Sequence, residues 1–403
     1  MRLEGMHPRR RMGGPTPGAE RWVARLDGWL QRHLFSVILV GIAAGIAAGD
    51  GVYRYRALSP YLLAVTMAIA TSRSQLRELG QLLRRPSYLL ALAVVGYGVA
   101  AASGLSLGAW LLAGAPALRA GFSLLWLGPT ATISSLWTHL AGGNVPLAAT
   151  LTAASVIGSS LWLAPLFLAL NPAYQVAGAI PAAAIRSGLW ASTIAFVLLP
   201  AIAGMTAAQR FGRAVERVAP LLGLTAKLSV LAIVFINTSG ATPHLSGTLG
   251  TVGLLAALTV LVELAGHAAA WAWVRWVRPD GPQAAVAIAY TGAMRNTALA
   301  ITLATLYLEP AAALAPVTAF IVQEPLSVLL ARRYARLTGY GLPDGPGGPG
   351  GKGQVQQHED DKPRPRRHQP QRGGPGSHPP VARKALLESP PKGDDAQHPG
   401  GQG

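Results

Sequence analysis

The side chains with chemistry to offer sit inside apolar runs, where polar groups are costly and need a purpose. One run is apolar through Gly121 to Leu127, breaks at Gly128-Pro129, and continues as Thr130, Ala131, Thr132, Ile133, Ser134 and Ser135, with Thr138 one turn on. A second is apolar from Ala284 to Tyr290 and then reads Thr291, Gly292, Ala293, Met294, Arg295, Asn296, Thr297. Pro129 has no N–H to donate, and Gly128 and Gly292 tolerate unusual dihedrals. Both helix ladders can therefore open and leave backbone amides and carbonyls free. Free groups inside a membrane must line water, protein or a ligand. The plainer alternative is that each hydroxyl bonds back to its own helix and that Gly-Pro is only a kink.

Two carboxylates raise the same question. Glu263 lies near the middle of another apolar run, with His267 one turn further on the same helix face. Together they suit a proton relay, although a neutral carboxylic acid bonded to a neighbouring helix is the commoner outcome for a single acid. Glu324 precedes Pro325 near the end of the last run, and pairing with Arg332 or Arg333 would account for it. A buried ionisable group costs roughly 2.5 to 3.5 kcal/mol on insertion scales, so each needs a partner or a role. Trp126, Trp137, Trp162 and Trp190 read as interface belts with no ligand role. The chain has no cysteine, which excludes disulfides, thiolate metal sites and thiol nucleophiles. With no metal spacing, phosphate loop or catalytic triad, the pattern is that of a carrier and not an enzyme.

The elements that must hold these groups are apolar helices. Of 403 residues, 51% are hydrophobic and 13% charged, against about 25% charged in a soluble domain. Ten runs qualify as spans: Leu34 to Asp50, Ala57 to Thr71, Ser87 to Leu105, Arg119 to Ala141, Val145 to Leu170, Ala184 to Gly204, Leu221 to Gly240, Leu249 to Val274, Gln283 to Leu308 and Ala311 to Arg332. Each is read as long enough to cross a bilayer core of about 30 Å as a helix. They predict an all-α polytopic membrane protein with a basic cytosolic arm over residues 1–33, five helices over 34–170, five more over 184–332, and a disordered Gly/Pro-rich cytosolic tail over 337–403.

The net charge of +17 comes mainly from the arm and the loops, since the tail carries nine basic residues against seven acids. Basic clusters beside apolar spans set orientation and do not recognise phosphates, so no nucleic-acid partner is expected. With the N-terminus inside, Arg73, Arg77, Arg84, Arg85, Arg210, Arg213, Arg217, Arg275 and Arg278 all fall on the cytoplasmic side. The reading is a plasma (inner) membrane protein with both termini cytoplasmic. The tail is a passive extension or a tether for a cytosolic partner.

Five spans per half is an odd number, so related halves would form an inverted repeat, the usual construction of secondary transporters. The two polar interruptions fall in the fourth span of each half, the place where such a repeat puts its binding site.

Gly128 to Ser135, followed by Leu140-Ala141-Gly142-Gly143-Asn144-Val145-Pro146-Leu147 and Leu151-Thr152, resembles the fourth- and fifth-span signature of the bile acid/sodium symporter family. The stretch Thr291-Gly292-Ala293-Met294-Arg295-Asn296-Thr297-Ala298-Leu299-Ala300 is similar to that family's ninth-span signature. The resemblance covers about Leu58 to Arg332. It implies ten helices in a core and a panel domain, with spans four and nine broken where they cross, and import of organic anions with sodium.

Residue by residue, the resemblance implies that Ser134 and Thr152 keep hydroxyls of a sodium site and that Met294 and Asn296 keep their places. The departures are larger. The family's ninth-span glutamate falls on Thr291, its asparagine after the span-four serine on Ser135, its glutamine on Arg295, and a span-five serine on Ala148. A hard cation wants oxygen ligands with formal negative charge among them. A guanidinium about 5 Å from sodium would repel it by roughly 3 kcal/mol at an effective dielectric of about 20. Arg295 is thus read as a fixed internal cation or as the holder of an anionic substrate; the plain alternative is that it snorkels or caps a carbonyl of the opposing broken helix.

The expected substrate site is Thr132, Ser134, Ser135, Met294, Arg295 and Asn296, and the expected ion-coupling set is Ser134, Thr152, Thr291, Glu263 and His267. No cofactor or bound metal is implied; the coupling ion would be sodium or a proton. The expected function is secondary active transport of a small or amphipathic organic anion by alternating access, with degraded sodium sites. The alternatives are an arsenite-type exporter, whose branch has a cysteine in span four that this chain lacks, and a non-transporting sensor or scaffold displaying its tail. A cation/proton antiporter would need an acid in the crossing helices, and none is there.

Overall fold

A computed structural model describes residues 18–172, 182–245, 249–277 and 281–339. The tail from 340 onward, the first 17 residues and the loop over 173–181 lie outside the described residues. Those described form helices and contain no strand.

A basic amphipathic helix opens them: α1, Gly18–Arg32. It is followed by α2, Leu34–Ala48, and α3, Ser59–Thr71, separated by short turns and bent by 103° at the break between them. Next come α4, Leu76–Leu83, and α5, Pro86–Leu111, which is π-helical over Leu92–Ala101. Then follow α6, Pro116–Leu127; α7, Ser134–Leu140; and α8, Val145–Leu170. The second set is α9, Ile185–Arg217; α10, Ala219–Leu245; α11, Leu249–Val277; α12, Gly281–Ala293; α13, Thr297–Tyr307; and α14, Leu314–Leu337.

Among the described residues, six helices are long and apolar enough to cross a membrane, seven if α2 with α3 makes one bent span. The chain is a multi-pass membrane protein. Helices lie over every expected run, but 13 residues in α3 rise only about 20 Å, short of a full bilayer core. Two elements go beyond the expected runs. In the second half of the basic arm the apolar residues recur at helical spacing and form α1; and α4 is an amphipathic helix opened by a capping box in which Gln75 and Glu78 exchange bonds with each other's backbone.

Packing separates the helices by neighbour. α10 lies against α1, α2 and α3, and α9 against α3; α11 lies against α5, α12 and α14. Small residues set the closest approaches: a Cβ on Gly45 would stand 2.6 Å from the Phe235 carbonyl oxygen, and one on Gly204 would stand 2.1 Å from that of Ala68. Such contacts bring helix backbones together where lipid offers no hydrophobic drive for association.

Candidate functional site

Two helices stop short and restart at the expected interruptions. α6 ends at Leu127 and α7 begins at Ser134; α12 ends at Ala293 and α13 begins at Thr297. The two open segments meet as an isolated antiparallel bridge between Thr130 and Arg295. The Ala131 N–H donates to the Met294 carbonyl at 3.1 Å, and the Asn296 N–H donates to the Pro129 carbonyl at 2.9 Å. The Thr130 hydroxyl donates to the Thr291 carbonyl at 2.6 Å, and the Thr130 N–H donates to the Ser155 hydroxyl of α8 at 2.9 Å. Groups released by the broken ladders thus satisfy one another, which removes the main cost of opening a helix in an apolar interior.

Asn296 restarts α13 by accepting the Leu299 N–H on its side-chain oxygen at 3.0 Å, and Asn144 starts α8 in the same way with Leu147. Both are N-caps, worth about 1 kcal/mol each.

Arg295 is fully buried. One terminal nitrogen donates to the Gly96 carbonyl in the π-helical stretch of α5, and the guanidinium carbon stands 4.7 Å from the Tyr97 ring centre and 6.0 Å from that of Trp126. Its Nε and other terminal nitrogen have no hydrogen-bond partner, and it makes no ion pair among the described residues. The capped carbonyl belongs to α5, not to the opposing broken helix. Trp126 is fully buried, so the belt expectation fails there: Gly104 leaves the space that its indole fills, and a Cβ on that glycine would stand 2.6 Å from the ring.

The other expected residues divide. Thr132, Arg295 and Asn296 line one cavity, in which water centres have about 160 Å³ of room. Ser134, Ser135 and Met294 are buried beside it without lining it. The hydroxyls of Ser134 and Thr152 are 2.9 Å apart and bond to each other. The Thr291 hydroxyl is spent on its own helix, donating to the Ala287 carbonyl at 2.7 Å, while Met294 Sδ accepts from the Ser327 hydroxyl at 3.3 Å.

Glu263 and His267 lie apart from the cavity, on α11. Glu263 Oε1 is 3.9 Å from His267 Nε2, too far for a hydrogen bond, and neither carboxylate oxygen has a partner. His267 Nδ1 instead pairs with the Tyr334 hydroxyl at 3.0 Å. Glu324 corrects an expectation: it pairs with neither Arg332 nor Arg333, which are exposed. Eight residues of helix put Arg332 about 12 Å further along the axis. Glu324 lines the cavity instead, with Gln323.

Several lining and supporting residues are not evident from the sequence. Thr66, Asp27, Lys227 and Gln323 line the cavity, and Asp27 and Lys227 form an ion pair at 2.6 Å that ties α1 to α10. Tyr97, which bonds the Ser155 hydroxyl at 2.9 Å and carries the Arg295 stack, is signalled only by the glycines on either side of it. Gln323-Glu324-Pro325 is a polar pair before a helix-interior proline, a signal in the sequence that also fits a peripheral ion pair.

Residues 60–247, just under half of the chain, match the family model described as Sodium Bile acid symporter family. The chain is 36% identical over 108 residues to the probable sodium/metabolite cotransporter BASS1 of Arabidopsis thaliana, a segment covering 27% of this chain and 25% of that protein. It is 26% identical over 219 residues to the uncharacterized protein YbaS of Bacillus subtilis (strain 168), covering 54% of this chain and 68% of that one. The family match takes in α6 to α8 and ends before α12 and α13. Over residues 60–247 the chain is thus similar to the Sodium Bile acid symporter family, a family of transporters.

Proposed function

We propose that the protein is a secondary active transporter of a small or amphipathic organic anion. It would work by alternating access of ten crossings arranged as five plus five, with the α6–α7 and α12–α13 breaks at the pivot. The family match supports a sodium-coupled carrier of organic substrates, and the plant relative is named for sodium/metabolite cotransport. The positive-inside pattern supports a plasma-membrane protein with both termini in the cytoplasm.

One observation carries the anion reading. Arg295 is buried, has no ionic partner among the described residues and leaves two guanidinium nitrogens unbonded there, and it lines a cavity between the broken helices and α2, α3 and α10. An uncompensated buried cation is strongly unfavourable, and an anionic substrate seated against its planar fork would supply the missing charge.

The same residue bears on sodium. A sodium site here would need oxygen ligands with negative charge, whereas Ser134 and Thr152 bond each other and the Thr291 hydroxyl is used within its helix. Among the described residues, no three acids or histidines converge on a possible metal position. We read the family's sodium positions as degraded here and assign sodium no step in transport.

The test is uptake of labelled organic anions by proteoliposomes under separate sodium and proton gradients, with Arg295→Gln in parallel. Uptake by the unaltered protein with at least about tenfold loss in the variant is expected, since truncating one partner of a buried charged pair costs about 2 kcal/mol or more. Sodium-dependent uptake would refute the degraded-site reading, and unchanged uptake by Arg295→Gln would refute its role.

A further inference from the structure

Two buried acids lie on the packed helices α11 and α14, and among the described residues no lysine or arginine is paired to either. Glu324 of α14 is 4% exposed, lines the cavity, and leaves Oε2 without a hydrogen-bond partner. Glu263 of α11, the helix packed on α14, is fully buried with both oxygens unpartnered, and it lies within electrostatic range of Glu324. Gln323, next to Glu324, also lines the cavity with an unbonded amide nitrogen.

The groups facing this pair are few. On α11 itself His267 stands 3.9 Å from Glu263; from α12 and α14, Tyr290 and Tyr334 lie within electrostatic reach of it. Tyr290 donates to the Ser327 carbonyl and Tyr334 bonds His267, so neither phenol is free for the acids. The Trp137 indole of α7 lies within electrostatic reach of Glu324, and its Nε1 makes no hydrogen bond among the described residues. Arg295 shares the cavity with Glu324, and the two do not form an ion pair. The cavity's other cations are Lys227, which is paired with Asp27, and Arg73.

An acid without a counter-cation in an apolar interior is relieved by a proton, and acidic chains of this kind mark proton pathways in membrane carriers. We propose that Glu324 and Glu263 form a proton-binding site open to the transport cavity. Glu324 takes one proton from cavity water and is neutral while it is bound; Glu263, buried beside His267 with neither oxygen partnered among the described residues, keeps its own proton throughout. The site rests on the carrier reading and adds a coupling logic to it. With Glu324 ionised, its charge competes with an incoming anion for the field of Arg295. With the proton bound, the competitor is neutral and Arg295 is left to the substrate. Anion and proton then bind together, leave together, and move in the same direction.

The full chain in proteoliposomes, with labelled cholate and labelled pyruvate as separate probes, gives the first measurement. A pH gradient of one unit, acidic outside and coupled one proton per anion, supports about tenfold accumulation. Glu324→Gln is expected to abolish that response and Glu324→Asp, which keeps a carboxyl, to recover part of it; a Glu324→Gln protein that accumulates as the unaltered protein does overturns the proposal. The second measurement needs no transport: infrared difference spectra of the purified protein between acidic and alkaline buffer. A protonated-carboxyl band that is lost at alkaline pH and is diminished in folded Glu324→Gln supports the site. A spectrum with no such titrating band, or one unaltered in the variant, overturns it. Titration without uptake of any anion would leave the proton site standing and sink the carrier reading alone.

Discussion

Arg295 concentrates the chemistry of the protein in one side chain. Its charge is held by a carbonyl dipole and two aromatic faces and not by a carboxylate, an arrangement that tolerates the cation without neutralising it. Tyr97 contributes in two separable ways, through its ring under the guanidinium and through its hydroxyl on Ser155, which in turn receives the Thr130 N–H. Tyr97→Phe keeps the ring and removes the hydroxyl. A stability loss of about 1 kcal/mol is expected, with anion uptake retained. Thermal unfolding in detergent together with uptake checks both halves: a loss of transport as large as that of Arg295→Gln would mean that the hydroxyl, not the stack, positions the arginine.

Broken helices are kept in place by their neighbours as much as by their own sequence. α6 carries Gly121 where the chain near Ala312, leading into α14, comes closest; a Cβ there would stand 1.8 Å from the Ala312 carbonyl oxygen. The obstacle is backbone, which cannot swing aside as a side chain would. Gly121→Ala should destabilise by about 1 to 3 kcal/mol, the range for overpacking. A lowered unfolding temperature is the readout, and a variant as stable as the parent would show that α6 can move away from this contact. At Asn296 the expectation is different in kind: Asn296→Ala removes the α13 cap, worth about 1 kcal/mol, and also a residue of the cavity wall. It should lower stability and uptake together.

At the scale of the molecule the question is how the helices sit across the bilayer. Because the chain has no cysteine, single introduced cysteines report without background. Gly80 and Gly114 have open space around them, so a cysteine at either should be accommodated. In the proposed orientation, Gly80→Cys faces the cytoplasm and Gly114→Cys the outside. An impermeant thiol reagent added to intact cells should label the second and spare the first; the reverse pattern would overturn the orientation. The Asp27–Lys227 pair closes the same picture from another side, since it ties the basic α1 to α10 at the wall of the cavity.

Apolar period and helix-breaking residues locate the helices other than α1 and α4: the expected Val145 to Leu170 is the observed helix, and both interruptions fall where Gly128-Pro129 and the Thr291 to Thr297 segment put them. A proline without an N–H and a run of short polar residues act locally, and local causes can be read from a chain. What the two breaks bond to cannot be read, because Thr130 and Arg295 are 165 positions apart and only folding brings their backbones together. The same holds for Glu324. Its place before Pro325 suggests a helix end near arginines, and only the packing of α14 among its neighbours places it in the cavity wall. Sequence determines which groups are costly to bury; tertiary structure decides which of them meet, because charge and hydrogen bonding depend on distances that the order of residues does not contain.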